Sequence, residues 1–256
     1  ADAELGYSIE ELCLRDPNQQ LNQTQYTQPA LFVVSALTYL ARLADTGEQP
    51  DAVAGHSLGE YTALFAAGVF DFATGIKLVK QRAHLMSQAS GGAMAAVIGL
   101  SVGQIRAALE NAGVTSIDVA NYNSLAQTVI SGPEADIVAS QAVFEGAGAK
   151  MFVRLPVSAA FHSRYMAEAE KEFARFLEGF EFAEPKVPVY SNVTAAPHQR
   201  SEIKNLLARQ ITHSVRWVET MEALLALPEP EFIELGPGNV LTGLARRIKT
   251  ELGKGR

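Results

Sequence analysis

A serine held between two glycines, in Gly55-His56-Ser57-Leu58-Gly59, constrains this chain more than any other stretch. Residues 50–54, Pro-Asp-Ala-Val-Ala, predict a short buried strand, and residues 60–67 predict a helix. Strand, sharp turn and helix is the setting of a nucleophile elbow, which lifts a serine hydroxyl to the apex of the turn. Backbone at such an apex is strained, and side chains at Gly55 or Gly59 are expected to collide with the adjoining strand or helix. Ser57 then stands at a helix N-terminus, with the Leu58 amide aimed at any oxyanion that forms there. An elbow implies an α/β fold, and 256 residues at 48% hydrophobic suffice for one large core carrying an insertion.

Apolar residues recur on every side of residues 30–44, which predicts a helix buried all round. Residues 71–86 predict another helix, and Arg82 lies on it. After Ser90-Gly91-Gly92 the texture changes. A strand over 93–100 leads to a helix over 101–113 with Ser101 as its N-cap. Strands over 117–121 and 128–131 are joined by Tyr122-Asn123-Ser124, and a helix over 133–146 and a strand over 150–155 follow. The order β-α-β-β-α-β is that of a ferredoxin-like unit. An inserted subdomain is therefore placed at 92–155, between core segments 1–91 and 156–256. In the second core segment, strands are expected over 187–192 and 232–235, with helices over 165–176, 203–212 and 217–226 and from 240.

The totals exclude several classes. A net charge of −7 gives no basic surface for nucleic acid. The single cysteine, Cys13, forbids an internal disulfide, and no Cys/His spacing resembles a metal site. No run is long and apolar enough to span a membrane, and the first residues lack a signal-peptide profile. A cytoplasmic protein without membrane contact is expected. A serine nucleophile needs a base, and five histidines are available: His56, His84, His162, His198 and His213. His162 opens a helix from a short core loop, and His198 sits in a polar, exposed-looking stretch; the residues alone leave the choice open.

An ordered set of motifs narrows it. Gly55-His56-Ser57-Leu58-Gly59-Glu60-Tyr61, Gln81-Arg82, the strand after Gly92, Pro156-Val157-Ser158 with Phe161-His162, Arg209-Gln210 and Glu234-Leu235-Gly236-Pro237-Gly238 run along the whole chain. Together they resemble malonyl-CoA:acyl-carrier-protein transacylases and the acyltransferase domains of polyketide synthases. The resemblance implies an α/β-hydrolase-like core with an inserted ferredoxin-like subdomain. It implies that Ser57 forms an acyl-serine ester, with His162 as base and acid in a Ser–His dyad that needs no third carboxylate. Arg82 resembles the arginine that clamps the malonyl carboxylate, and Gln210 a glutamine that orients the dyad. Leu58, His56 and Phe161 are placed with the substrate-binding residues. Leu58 and Phe161 resemble malonyl-selective members, whereas methylmalonyl-selective ones carry a polar residue and a serine there.

Members of the family also carry a strand ending in a G-Q-G loop, whose glutamine completes the oxyanion hole; no G-Q-G occurs in this sequence. The partners implied are malonyl-CoA and the phosphopantetheine arm of an acyl carrier protein, in polyketide or fatty acid biosynthesis, with no metal or redox cofactor and a monomeric chain. The Tyr26-Thr27-Gln28-Pro29-Ala30-Leu31 stretch leans toward discrete polyketide acyltransferases. The alternatives are an acyl hydrolase acting on carrier-protein thioesters, or a non-catalytic carrier-binding relative.

Overall fold

A computed structural model describes residues 1–254. Two short helices, α1 (Asp2–Leu5) and α2 (Ile9–Leu14), precede the long α3 (Thr24–Thr46). Then come β1 (Val53–Ala54), α4 (Gly59–Ala66) and α5 (Phe72–Ser87). The middle of the chain holds β2 (Gly92–Ile98), α6 (Val102–Asn111), β3 (Asp118–Ser124), β4 (Gln127–Pro133), α7 (Glu134–Gly146) and β5 (Met151–Arg154). It closes with α8 (Ala167–Leu177), β6 (Val189–Tyr190), α9 (Ile203–Arg209), α10 (Trp217–Leu225) and α11 (Val240–Lys254). The fold is α/β. No helix among the described residues is long and apolar enough to cross a membrane.

Two sheets frame the site. β1 pairs in parallel with β6, Val53 opposite Val189 and Ala54 opposite Tyr190. The second sheet has the order β3-β4-β2-β5, antiparallel throughout. Its alternating residues serve two cores, as the two-residue period of a strand requires. Ala93, Ala95 and Val97 face Ile105, Ile137 and Phe144 of α6 and α7. Met94, Ala96, Ala120 and Val129 face the other way, toward Phe161. Hydrogen bonds between Tyr122, Val215 and Ala120 tie this sheet to the loop before α10. A third apolar cluster, including Phe32, Tyr61, Leu64, Ile76, Val79 and Phe173, packs α3, α4, α5 and α8 around the turn after β1.

Local signals set several boundaries. Ser101 caps α6 in a full capping box with Gln104. Asp71 caps α5 through the Thr74 amide. Four expectations are corrected. Residues 122–124 belong to β3, and the turn to β4 is Leu125-Ala126. α3 begins at Thr24, so Pro29 lies inside it; a proline this near the start removes only one intrahelical bond. α3 is not buried all round: Leu37 is 54% exposed, and Leu31 and Leu40 are also exposed. Residues 232–235 form no strand, and Phe232 and Ile233 are exposed. Their strand-like composition meets no partner backbone among the described residues, and without one no ladder can form.

Candidate active site

The elbow forms where β1 runs into α4. Ser57 has φ +52°, a left-handed value that a serine adopts only under constraint from its surroundings. Gly55 is obligatory: a Cβ there would lie 2.0 Å from the carbonyl carbon of Gly59. Gly59 is not, since a Cβ on it would meet nothing within 4 Å; the expected collision there is corrected. Asn192, just past β6, clamps the turn from both sides. Its Oδ1 accepts from the Ser57 amide at 2.6 Å, and its Nδ2 donates to the Gly55 carbonyl at 2.7 Å. The Leu58 amide donates to no protein acceptor among the described residues, which leaves it available to an oxyanion.

His162 is the histidine brought to Ser57. It also has positive φ, +55°, and is buried. The Ser57 hydroxyl donates to His162 Nε2 at 2.8 Å. His162 Nδ1 lies 2.8 Å from the backbone carbonyl of Gln210. A carbonyl can only accept, so Nδ1 carries the proton and Nε2 presents its lone pair to the hydroxyl. A backbone oxygen thus does the orienting that a carboxylate does in a triad.

Arg82 is 1% exposed and lies beside the dyad. Its Nη2 donates to Ser57 Oγ at 3.1 Å and to Gln210 Oε1 at 2.9 Å, and its Nη1 donates to Gln28 Oε1 at 2.5 Å. The guanidinium stands 5.5 Å from the Tyr61 ring centroid, within cation–π range. Gln210 Nε2 donates to the Ser57 carbonyl at 3.0 Å and to Glu60 Oε2 at 2.5 Å. Glu60, fully buried, also accepts from His198 Nε2 at 2.6 Å and from the Asn192 amide at 3.2 Å. Ser57, its Asn192 clamp, Gln210 and Glu60 therefore form one polar network, buried everywhere but at Ser57, in which each member restricts the others.

The remaining sequence candidates fall around this network. Phe161, next to His162, is half-buried against both the elbow core and the inner face of the antiparallel sheet. His56 makes no hydrogen bond with Ser57: its Nε2 donates to Asn123 Oδ1 at 2.8 Å, and its ring centroid lies 5.6 Å from that of Trp217. His198 is buried on Glu60, not exposed as its polar neighbours suggested. The structure adds Gln28, Glu60, Asn192 and His198 to the residues around Ser57. Glu60 offered a signal, a carboxylate directly after the elbow; Asn192 and His198 offered none. Among the described residues no group of three His, Cys, Asp or Glu side chains could hold a metal.

Burial is the main cause that lowers the His162 pKa, to about 3, and the positive charge of Arg82 adds to it. The ring is therefore neutral, ready to accept a proton. Burial also lowers the Arg82 pKa, though a guanidinium stays charged. The His162 shift has a consequence for stability. Between pH 6.5 and about 3 the unfolded chain binds a proton that the folded chain refuses, so unfolding free energy rises with pH across that window. This stabilising share is complete above pH 6.5 and is lost as pH falls toward 3. Denaturant titrations of wild type and His162→Ala are expected to converge on acidification from pH 6.5 to 4.5, by up to ~1.4 kcal/mol per pH unit. Parallel curves would mean an ordinary imidazole.

Comparison with known proteins gives the family. The acyl transferase domain family matches residues 2–250. A polyketide biosynthesis malonyl CoA-acyl carrier protein transacylase of Bacillus velezensis is 54% identical over 252 residues, 98% of this chain and 87% of that protein. The crystal structure of a malonyl CoA-acyl carrier protein transacylase from Burkholderia pseudomallei superposes with a TM-score of 0.95 at 49% identity, covering 98% of this chain and 88% of the other. A malonyl-transacylase solved in complex with a type II polyketide acyl-carrier protein superposes with a TM-score of 0.93 at 37% identity, covering 97% and 82%. An elbow serine bonded to a buried neutral histidine, in a chain matched along nearly its whole length, leads to one conclusion: this chain belongs to the acyl transferase domain family.

Proposed function

We propose that the chain transfers a malonyl group from malonyl-CoA, through an ester on Ser57, to the phosphopantetheine thiol of an acyl carrier protein. The observation that carries this reading is the placement of a buried guanidinium against the nucleophile. Arg82 touches Ser57 Oγ, and no carboxylate pairs with it directly among the described residues. A site that holds an unpaired cation beside the reacting oxygen suits an acyl group that carries its own carboxylate.

The steps follow from the geometry. The malonyl carboxylate pairs with Arg82. His162 Nε2 takes the Ser57 proton as Oγ attacks the thioester carbonyl, and the oxyanion meets the Leu58 amide. The C–S bond breaks, and the coenzyme A thiolate leaves with the proton from His162. The carrier thiol then gives its proton to His162, attacks the ester, and releases Ser57 by the reverse sequence. Phe161 narrows the pocket against an α-methyl branch, and His56 forms a wall of the site with Asn123 and Trp217. Gln210 holds His162 and Arg82 together.

The names of the relatives support polyketide assembly as the pathway. We further propose that residues 1–91 and 156–256 form an α/β-hydrolase-like core and residues 92–155 a ferredoxin-like insert. We also propose a monomeric chain acting in the cytoplasm, a reading supported by a dyad built within one chain and by a malonyl-CoA donor.

Intact mass after brief exposure to malonyl-CoA tests the reading. A malonyl adduct that is stable in buffer and discharged by a holo carrier protein is expected. An adduct lost equally fast without carrier would make the chain a hydrolase, and no adduct would make it a non-catalytic relative.

A further inference from the structure

Two buried titratable groups, Glu60 and His198, have no step in the chemistry. Both side chains are fully buried, and His198 Nε2 donates to Glu60 Oε1 at 2.6 Å. Glu60 sits in the first turn of α4. Its other oxygen accepts from Gln210 Nε2 at 2.5 Å and from the Asn192 amide at 3.2 Å. Three donors therefore converge on one carboxylate, an arrangement that suits a group able only to accept. The two residues held by Glu60 are the two that hold the site. Asn192 bonds both the Ser57 amide and the Gly55 carbonyl. The Gln210 side chain bonds the Ser57 carbonyl and Arg82, and its backbone carbonyl faces His162 Nδ1. His198 arrives on the loop after β6 that also carries Asn192. That loop closes on itself, the Ser191 amide donating to the Ala196 carbonyl and the His198 amide to the Val189 carbonyl. His198 Nδ1 has no partner among the described residues, so the ring is committed to Glu60 alone.

We propose that His198 is a positioning residue, which fixes the Glu60 carboxylate and, through it, the Gln210 side chain whose residue aligns the base. A glutamine amide can sit either way round about its last bond. Here Glu60 on one side accepts and Arg82 on the other only donates, so Nε2 faces Glu60 and Oε1 faces Arg82. With the side chain held at both ends, the Gln210 carbonyl stays on His162 Nδ1 and keeps the proton there. If the His198 donor is removed, Glu60 Oε1 is left buried without a partner. The carboxylate is then free to turn, and the hold on Gln210 loosens with it. His198 is remote from the reacting atoms, so its effect reaches the dyad only along this chain of hydrogen bonds.

Two measurements on the full chain test this role: single-turnover loading from malonyl-CoA, and the ring-nitrogen NMR signals of His162 in the free enzyme. The first rests on the malonyl transfer proposed above and the second does not. A wild type that takes no malonyl group would therefore sink the transfer, while the imidazole signals still judge His198. His198→Phe keeps a ring of similar size and removes the donor. It is expected to slow loading at saturating malonyl-CoA about 10- to 100-fold, the worth of one hydrogen bond to a charged group, with KM little changed. In the same variant the His162 signals are expected to move from a single Nδ1–H tautomer toward a mixture of both. His198→Gln restores an N–H donor and is expected to recover most of the rate and the single tautomer. Because His198 acts only through Glu60, adding His198→Phe to Glu60→Gln is expected to cost nothing further. Should His198→Phe not fold, Glu60→Gln alone decides, since it is expected to mix the His162 tautomers as well. An unmoved tautomer, a His198→Gln as slow as His198→Phe, or losses that multiply in the double variant would overturn the proposal, since each is the mark of a residue that merely fills the core.

Discussion

Alanine at position 57 is expected to abolish both the acyl adduct and carrier loading, by about 10⁴- to 10⁶-fold, because the nucleophile and base of a dyad act as a unit. His162→Ala is expected to fall in the same range, and the double variant to be little worse than either single one. The geometry requires this non-additivity. Ser57 Oγ and His162 Nε2 share one proton at 2.8 Å, so losing either end removes the same event. What remains in each variant is binding by Arg82 and whatever stabilisation the Leu58 amide gives. Pre-steady-state loading from malonyl-CoA, with circular dichroism to show an intact fold, checks the prediction. Additive losses would mean that His162 acts on some other step, and a surviving adduct in Ser57→Ala would place the nucleophile elsewhere.

The same geometry explains why some of this site can be read from sequence and some cannot. The elbow is legible because its cause is local: Gly55 meets Gly59 four residues on, and α4 starts at once. The capping box of α6 is legible for the same reason. His162 has no local signature. It lies 105 residues from Ser57, and only an ordered set of family motifs selected it from five histidines. Asn192 and His198 reach Ser57 and Glu60 from 135 and 138 residues away, and nothing near them in sequence marks a polar side chain as buried. The 232–235 stretch fails in the opposite sense. Its composition suits a strand, but a strand is a property of two segments, and no described segment pairs with this one.

Removing the Arg82 side chain separates selectivity from chemistry. Arg82→Ala is expected to lower kcat/KM for malonyl-CoA by about 10²- to 10³-fold, since truncating one partner of a buried charge pair costs about 2–5 kcal/mol. Acetyl-CoA brings no carboxylate, so its loss is expected to be far smaller, and the two donors should become nearly equivalent. Arg82→Lys keeps a charge but not the fork, and is expected to recover only part of the preference. A second readout comes from the base. Arg82 contributes to the lowered pKa of His162, so its removal should move the imidazole back toward its ordinary range, visible in the histidine NMR titration. Loss of malonyl preference without any change in His162 would mean that the guanidinium binds substrate but leaves the base untouched. Equal losses with both donors, and an unmoved imidazole, would show that Arg82 supports the fold and not the acyl carboxylate. The two readouts are independent because one needs substrate and the other needs only the free enzyme. Selectivity and basicity then trace to the same buried charge, which Gln28 and Gln210 hold in place without neutralising it.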